Sequence, residues 1–210
     1  MKPVLPLLLL AAALSAPAAE FSSTLSSPKG EPVADAVISL IPLDAPAPPV
    51  AATAQIEIAQ QDQEFIPYVS VVQAGTKVVF PNRDTVQHHV YSLSKPRKFE
   101  LPLYNPGQRE SLVFEIPGLV TIGCNIHDWM ISHLVVVPTP WFAKSDAQGA
   151  VKITAPAGRY RAEVWHPRLA KPDTREIVLT EAAAVTENFS LSLKPDRRVR
   201  RSPGGKTGGY

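Results

Sequence analysis

Short apolar, β-branched runs recur along the chain, each bounded by Gly, Pro, Asn or Asp. Bounded runs of this kind mark strands, and no stretch repeats its apolar residues at the 3.6-residue spacing of an amphipathic helix. The pattern predicts strands over residues 36–43 ("AVISLIPL"), 55–60 ("QIEIAQ"), 65–73 ("FIPYVSVVQ"), 77–82 ("KVVFPN") and 88–93 ("HHVYSL"). A second series covers 111–116, 120–124, 133–138, 151–154, 160–166, 175–180 and 186–193. The 22 prolines are scattered through the chain, which suits strands and turns and confines helix to a turn or two. Evenly spaced short strands predict an all-β fold of one or two sandwiches.

Two stretches rich in Pro and turn formers, residues 45–52 ("APAPPVAA") and 137–149 ("VPTPWFAKSDAQG"), read as seams. The segment between them is long enough for its own core, whereas each flank alone is too short to bury one. The expected organisation is therefore a discontinuous sandwich, residues 22–46 with 139–193, interrupted by a second β unit at 53–138. At the N-terminus, Lys2 precedes an apolar run at residues 7–14 and a small-residue stretch at 16–19, the pattern of a secretory signal cleaved after Ala18. That run is too short to span a bilayer, so residues 1–18 are excluded from the fold, no transmembrane segment is expected, and the mature chain is assigned to the periplasm. The last stretch, 194–210, carries six Lys/Arg against one Asp and is expected to be a disordered basic tail. Residues 19–193 then hold 14 basic and 18 acidic side chains, a mildly acidic body with no basic patch for nucleic acid.

Export gives weight to the single cysteine, Cys124, because a lone thiol outside the cytosol has no internal partner and is open to oxidation. Either it is a buried, inert core residue or something occupies it. In "TIGCNIHDWMISHLVVV" (residues 121–137) His127 follows three positions later and Met130 three beyond that. Thiolate, imidazole and thioether on one turn form a set that favours copper over magnesium, calcium or manganese, while zinc accepts Cys and His and gains little from Met. A fourth donor is available in "PNRDTVQHHVYS" (81–92), where His88 and His89 open a strand after a turn. Taken singly, Met130 reads as core filler and the histidines as solvated turn residues; their combination is what points to a metal.

These residues resemble the cupredoxin family, the blue-copper β-sandwich that includes plastocyanin and amicyanin, over roughly residues 55–138. "AGTKVVFPNRDTVQHHVYS" is similar to the family's G-x-x-V-x-F-x-N-x-D stretch leading to its first ligand, and the Cys-x-x-His-x-x-Met spacing resembles the short ligand loop of amicyanin. The resemblance implies a Greek-key sandwich holding one type 1 copper, with His88, Cys124 and His127 as strong ligands and Met130 as the weak axial one. It further implies one-electron exchange with a redox partner, a cytochrome or dehydrogenase as in methylamine-utilisation-like proteins, with the exposed edge of His127 as the port near Trp129 and Asp128. A site without an open coordination position or a nearby base implies a carrier, not an enzyme, expected to act as a monomer. The chain departs from the family in three places. His89 stands where an Asn ties the two ligand-bearing turns together, Ile122 replaces an aromatic, and Ser132 a Gly. The flanks, "KGEPVADAVISLIPL" and "SDAQGAVKITAPAGRYRAEVWHPRL", resemble a carboxypeptidase-regulatory-like, transthyretin-like sandwich. His133 and His166 are read as structural, and Tyr160 and Trp165 as core or interface aromatics. Two other functions use the same residues differently: a copper-binding or delivery protein, and a metal-free adhesion module.

Overall fold

The structure, a computed structural model, describes residues 18–196 and 198. Residues 1–17 of the expected signal segment (1–18) and most of the expected basic tail lie outside these residues. The described residues are all-β, without the turn or two of helix the sequence allows. No helix among them is long and apolar enough to cross a membrane.

The outer strands form two sheets. One places β1 (Ala18–Ser26) between β14 (Ala150–Pro156) and β17 (Val185–Thr186), with β18 (Phe189–Ser190) pairing farther along β1. The other runs β13 (Phe142–Lys144), β2 (Val37–Pro42), β15 (Gly158–Trp165), β16 (Asp173–Leu179). Their inward positions meet in one core that includes Phe21, Leu25, Ile38, Leu40, Tyr160 and Phe189. Burying each such Leu, Ile or Phe contributes roughly 1.5–3 kcal/mol.

β1 was not anticipated as a strand, and it starts four residues ahead of the expected boundary at 22. Ala19, Phe21, Ser23 and Leu25 are buried alternately, but the Ala and Ser content hides the pattern at sequence level. β13 lies inside the expected seam at 137–149 because Phe142–Lys144 pairs with Val37–Ser39 of β2.

A tight turn then leads into β14. Asp146 Oδ1 accepts the amides of Gln148 (2.9 Å) and Ala150 (2.8 Å), and Gly149 has φ +74°. A Cβ on Gly149 would lie 2.3 Å from the carbonyl oxygen of Leu25. Gly149→Ala is therefore expected to lower unfolding stability by about 1–3 kcal/mol in urea titrations, since both the backbone angle and the space reject a side chain.

The middle strands form a second layered unit. One sheet orders β10 (Arg109–Phe114), β7 (Thr76–Pro81) and β3 (Gln55–Glu57); the other orders β6 (Val69–Gln73), β12 (His127–Val137), β11 (Gly118–Cys124), β8 (His88–Ser92) and β9 (Phe99–Tyr104). A small hairpin, β4 (Ala59–Gln61) with β5 (Glu64–Ile66), caps one end. Thus 55–60 and 65–73, each expected as one strand, are each broken in two, the latter at Pro67. β9 carries no clear strand signal in the sequence, because Pro102 interrupts "KFELPLY". The core here holds Phe80, Phe114, Val90, Ile122 and Leu134 together with Cys124 and Met130.

A third cluster joins the two units: Val37 of β2 meets Val69 of β6 and Val135 and Val137 of β12, with Tyr68 and Trp165 packed against it. Across the same junction Lys144 Nζ donates to the Val69 carbonyl (3.1 Å) and pairs with Asp35 (3.0 Å). The beginning of the expected tail is also in place. The Lys194 amide donates to the Arg168 carbonyl (3.0 Å), Asp196 pairs with Arg198 (2.7 Å), and the Arg198 guanidinium lies 3.9 Å from the Tyr68 ring centroid. Where the sequence reads as disordered from residue 194 onward, these residues are held against the body by the Lys194–Arg168 backbone hydrogen bond and the Arg198–Tyr68 cation–aromatic contact, and the Asp196–Arg198 pair lies within the segment itself.

Candidate metal centre

The segment 121–137 is less of a loop than the sequence implies. Cys124 pairs directly with His127, so Asn125 and Ile126 form a two-residue hairpin turn, and β12 begins at His127 instead of at His133. A register shift between Gly123 and Cys124 re-aims the thiol at the end of β11. Gly123 leaves room for the Tyr91 ring, whose atoms lie 3.2–3.3 Å from where a Cβ would sit. Along β12, Met130, Ser132 and Leu134 face inward.

The upstream turn is built by Asn82, 1 % exposed. Its Nδ2 donates to the carbonyl of Val86 (2.9 Å), and its Oδ1 accepts the amide of Asp84 (3.0 Å). This folds residues 82–88 back so that β8 starts with His88 directed inward, 0 % exposed, and His89 directed outward. Strand alternation separates the two: His89 Nε2 pairs with Glu100 Oε1 at 2.8 Å, while His88 Nδ1 lies 3.7 Å from Cys124 Sγ. His127 Nδ1 lies 3.5 Å from the same sulfur, and the two imidazole centroids are 5.0 Å apart. All three donor atoms fall within 4.8 Å of one another. Met130, 2 % exposed, packs in the same buried cluster as Cys124 and lines with it a cleft of about 480 Å³.

These separations fit a shared ion. With metal–sulfur and metal–nitrogen bonds of about 2.3 and 2.0 Å, tetrahedral to trigonal angles place sulfur and nitrogen about 3.5–3.8 Å apart. The electrostatics agree. Burial pushes the Cys124 thiol up, but the contact with His88 and backbone hydrogen bonds from His89 and Ile126 outweigh it, leaving the thiol below its ordinary range and closer to the thiolate a metal requires. Burial likewise pushes His88 down, and the contacts with Cys124 and Asp84 more than reverse it.

No family model matches the sequence, and no curated protein does. Among solved structures, a purple cupredoxin from Nitrosopumilus maritimus aligns at 29 % identity over 40 % of this chain and 99 % of its own, with a TM-score of 0.35. An amicyanin, solved in reduced form as a single-residue mutant, aligns at 23 % identity over 48 % of this chain and 98 % of its own, with a TM-score of 0.38. A copper-containing nitrite reductase from Thermus scotoductus aligns at 25 % identity over 43 % of this chain but only 25 % of its own, also at 0.38. Each alignment leaves more than half of this chain unmatched.

Two contacts at the site are not legible in the sequence. Asp84, four residues before His88, places its Oδ2 2.8 Å from His88 Nε2 and so fixes which imidazole nitrogen faces the sulfur. In the sequence Asp84 appears as the last residue of the G-x-x-V-x-F-x-N-x-D stretch, four residues before His88, and neither feature shows its contact with the ring. His89, which stands where the resembled family has an Asn, has its ring taken by Glu100 and joins the two turns through its backbone, its carbonyl accepting the Asn125 amide at 2.9 Å. Trp129 has its ring centroid 5.3 Å from that of His127, and Ile126 beside it is 47 % exposed.

Proposed function

We propose that this chain is a periplasmic one-electron carrier in which His88, Cys124 and His127 would hold a single type 1 copper, with the Met130 thioether as a fourth, weaker donor. The reading is carried by one observation: two imidazole nitrogens from separate turns flank one buried sulfur at 3.5 and 3.7 Å. When bound, copper in such a set would cycle between Cu(I) and Cu(II) with little change in its surroundings. The chain's own residues do the rest. β8 and β11 fix His88 and Cys124 in the core, Asp84 holds the His88 ring, and the partly exposed His127 gives the site its edge toward solvent. The exposed Ile126 next to that edge suits a brief, weak encounter with a redox protein such as a cytochrome or dehydrogenase. A donor set completed by Met130 leaves no position for a substrate, which is why the proposal is a carrier and not an enzyme.

Addition of Cu(II) to the purified chain is expected to give intense visible absorption and a reversible one-electron wave. Tight, colourless Cu(I) binding without a reversible wave would instead make it a copper-delivery protein.

A further inference from the structure

A site assembled from two turns needs something to hold the turns in register, and the His89 side chain does not do so here. A hairpin outside both turns stands in the right place. The β4–β5 turn consists of Asp62 and Gln63 with φ of +53° and +56°, between the paired residues Gln61 and Glu64. Consecutive positive φ values are what a two-residue hairpin requires, and they aim the backbone groups of Gln63 at two different neighbours. Its N–H donates to Asp84 Oδ2 (2.9 Å), the same oxygen that lies 2.8 Å from His88 Nε2. Its carbonyl accepts the indole N–H of Trp129 (3.0 Å), whose ring packs on His127.

We propose that this hairpin is a clamp: Gln63 couples the position of His88, through Asp84, to the position of the ligand hairpin, through Trp129. Asp84, Gln63 and Trp129 are then positioning residues that fix the spacing of the donors around Cys124. One of the links ends on a carboxylate, which makes it stronger than a neutral hydrogen bond. The clamp's effect on copper rests on the metal reading above; its existence does not.

The test has a metal-free arm and a copper arm. In the metal-free full chain, Trp129→Phe keeps the ring against His127 but removes the indole donor. It is expected to speed hydrogen exchange at the Gln63 amide by roughly threefold to tenfold, although that amide is not the group Trp129 touches. With copper loaded, Trp129→Phe and Asp84→Ala should each speed copper release to a chelator, Asp84→Ala by roughly tenfold or more. The double variant should release no faster than Asp84→Ala alone, and Asp84→Asn, which keeps an oxygen at that position, should restore most of the retention. Unchanged exchange at Gln63 in Trp129→Phe, or release factors that multiply in the double variant, overturns the clamp. Should Asp84→Ala fail to fold, the exchange measurement on Trp129→Phe decides alone. A wild-type chain that takes up no copper would sink the metal reading, and the exchange arm would still decide the clamp.

Discussion

Cys124→Ser is expected to abolish the visible colour of the copper-loaded chain and to weaken copper binding by more than the roughly 10- to 100-fold typical of losing a group hydrogen-bonded to a ligand. The reason is chemical, since a serine hydroxyl is not deprotonated near neutral pH and offers a hard oxygen where the site presents a soft thiolate. It is also geometric. Cys124 is the one donor flanked by both imidazoles, at 3.7 Å from His88 and 3.5 Å from His127, so its loss leaves two nitrogens with nothing between them. The fold should survive, because the substitution is small and Cys124 is one member of a core held by Phe80, Phe114, Ile122 and Leu134. Equilibrium dialysis against copper and thermal unfolding of the metal-free variant separate the two effects. Retained affinity within threefold of wild type would remove Cys124 from the ligand set.

Acidification of the metal-free chain from pH 7 to pH 4 is expected to cost stability on the order of 5 kcal/mol through two histidines at the junction of the β units. His133 is 9 % exposed, with the Tyr68 ring at 5.3 Å and the Trp165 ring at 5.8 Å, and its Nδ1 lies 3.2 Å from Thr121 Oγ1. Burial, with the charge of Arg198 and the proximity of His166, brings its pKa to about 4. His166 is 6 % exposed, and its Nδ1 accepts the Arg168 amide at 3.1 Å. Burial first and the Arg168 charge second bring it to about 4 as well, with Asp35 opposing them.

Both values lie below the 6.5 of an unfolded histidine, so between pH 6.5 and 4 the unfolded chain binds protons that the folded chain refuses. Stability is complete above that window and falls as pH drops through it, by roughly 3 kcal/mol for each histidine. Urea unfolding of wild type and of the His133→Gln/His166→Gln double variant at several pH values isolates this contribution from that of His88, whose raised pKa acts in the opposite direction. The double variant should lose most of the slope between pH 6.5 and 4. An identical slope in both proteins would contradict the assignment.

Much of the middle unit can be read from local pattern: "VTIGC" buries alternate residues against the core, and "KVVFPN" is a β-branched run buried from Val78 onward that ends at a turn former. The same logic fails where burial is real but composition is weak. β1 alternates Ala, Phe, Ser and Leu inward, and Pro102 disguises β9. At the site, the spacing of Cys124, His127 and Met130 fixes neighbours in sequence, and a single strand's alternation decides that His88 and not His89 turns inward. What cannot be read is the set of contacts that cross the chain. Gln63 reaches Asp84 and Trp129 only because a hairpin folds over the end of the sandwich, and nothing in residues 61–64 alone announces it. Likewise, the docking of Arg198 on Tyr68 overrides a composition that reads as unstructured.

A copper ion bound by the chain is proposed to lie between the sulfur of Cys124 and the imidazoles of His88 and His127. X-ray absorption at the copper edge of the Cu(II)-loaded full chain tests this directly. The expected first coordination sphere has one short sulfur scatterer and two imidazole nitrogens, with the sulfur absent in Cys124→Ser. A sphere of nitrogen and oxygen scatterers alone in the wild-type chain would contradict it.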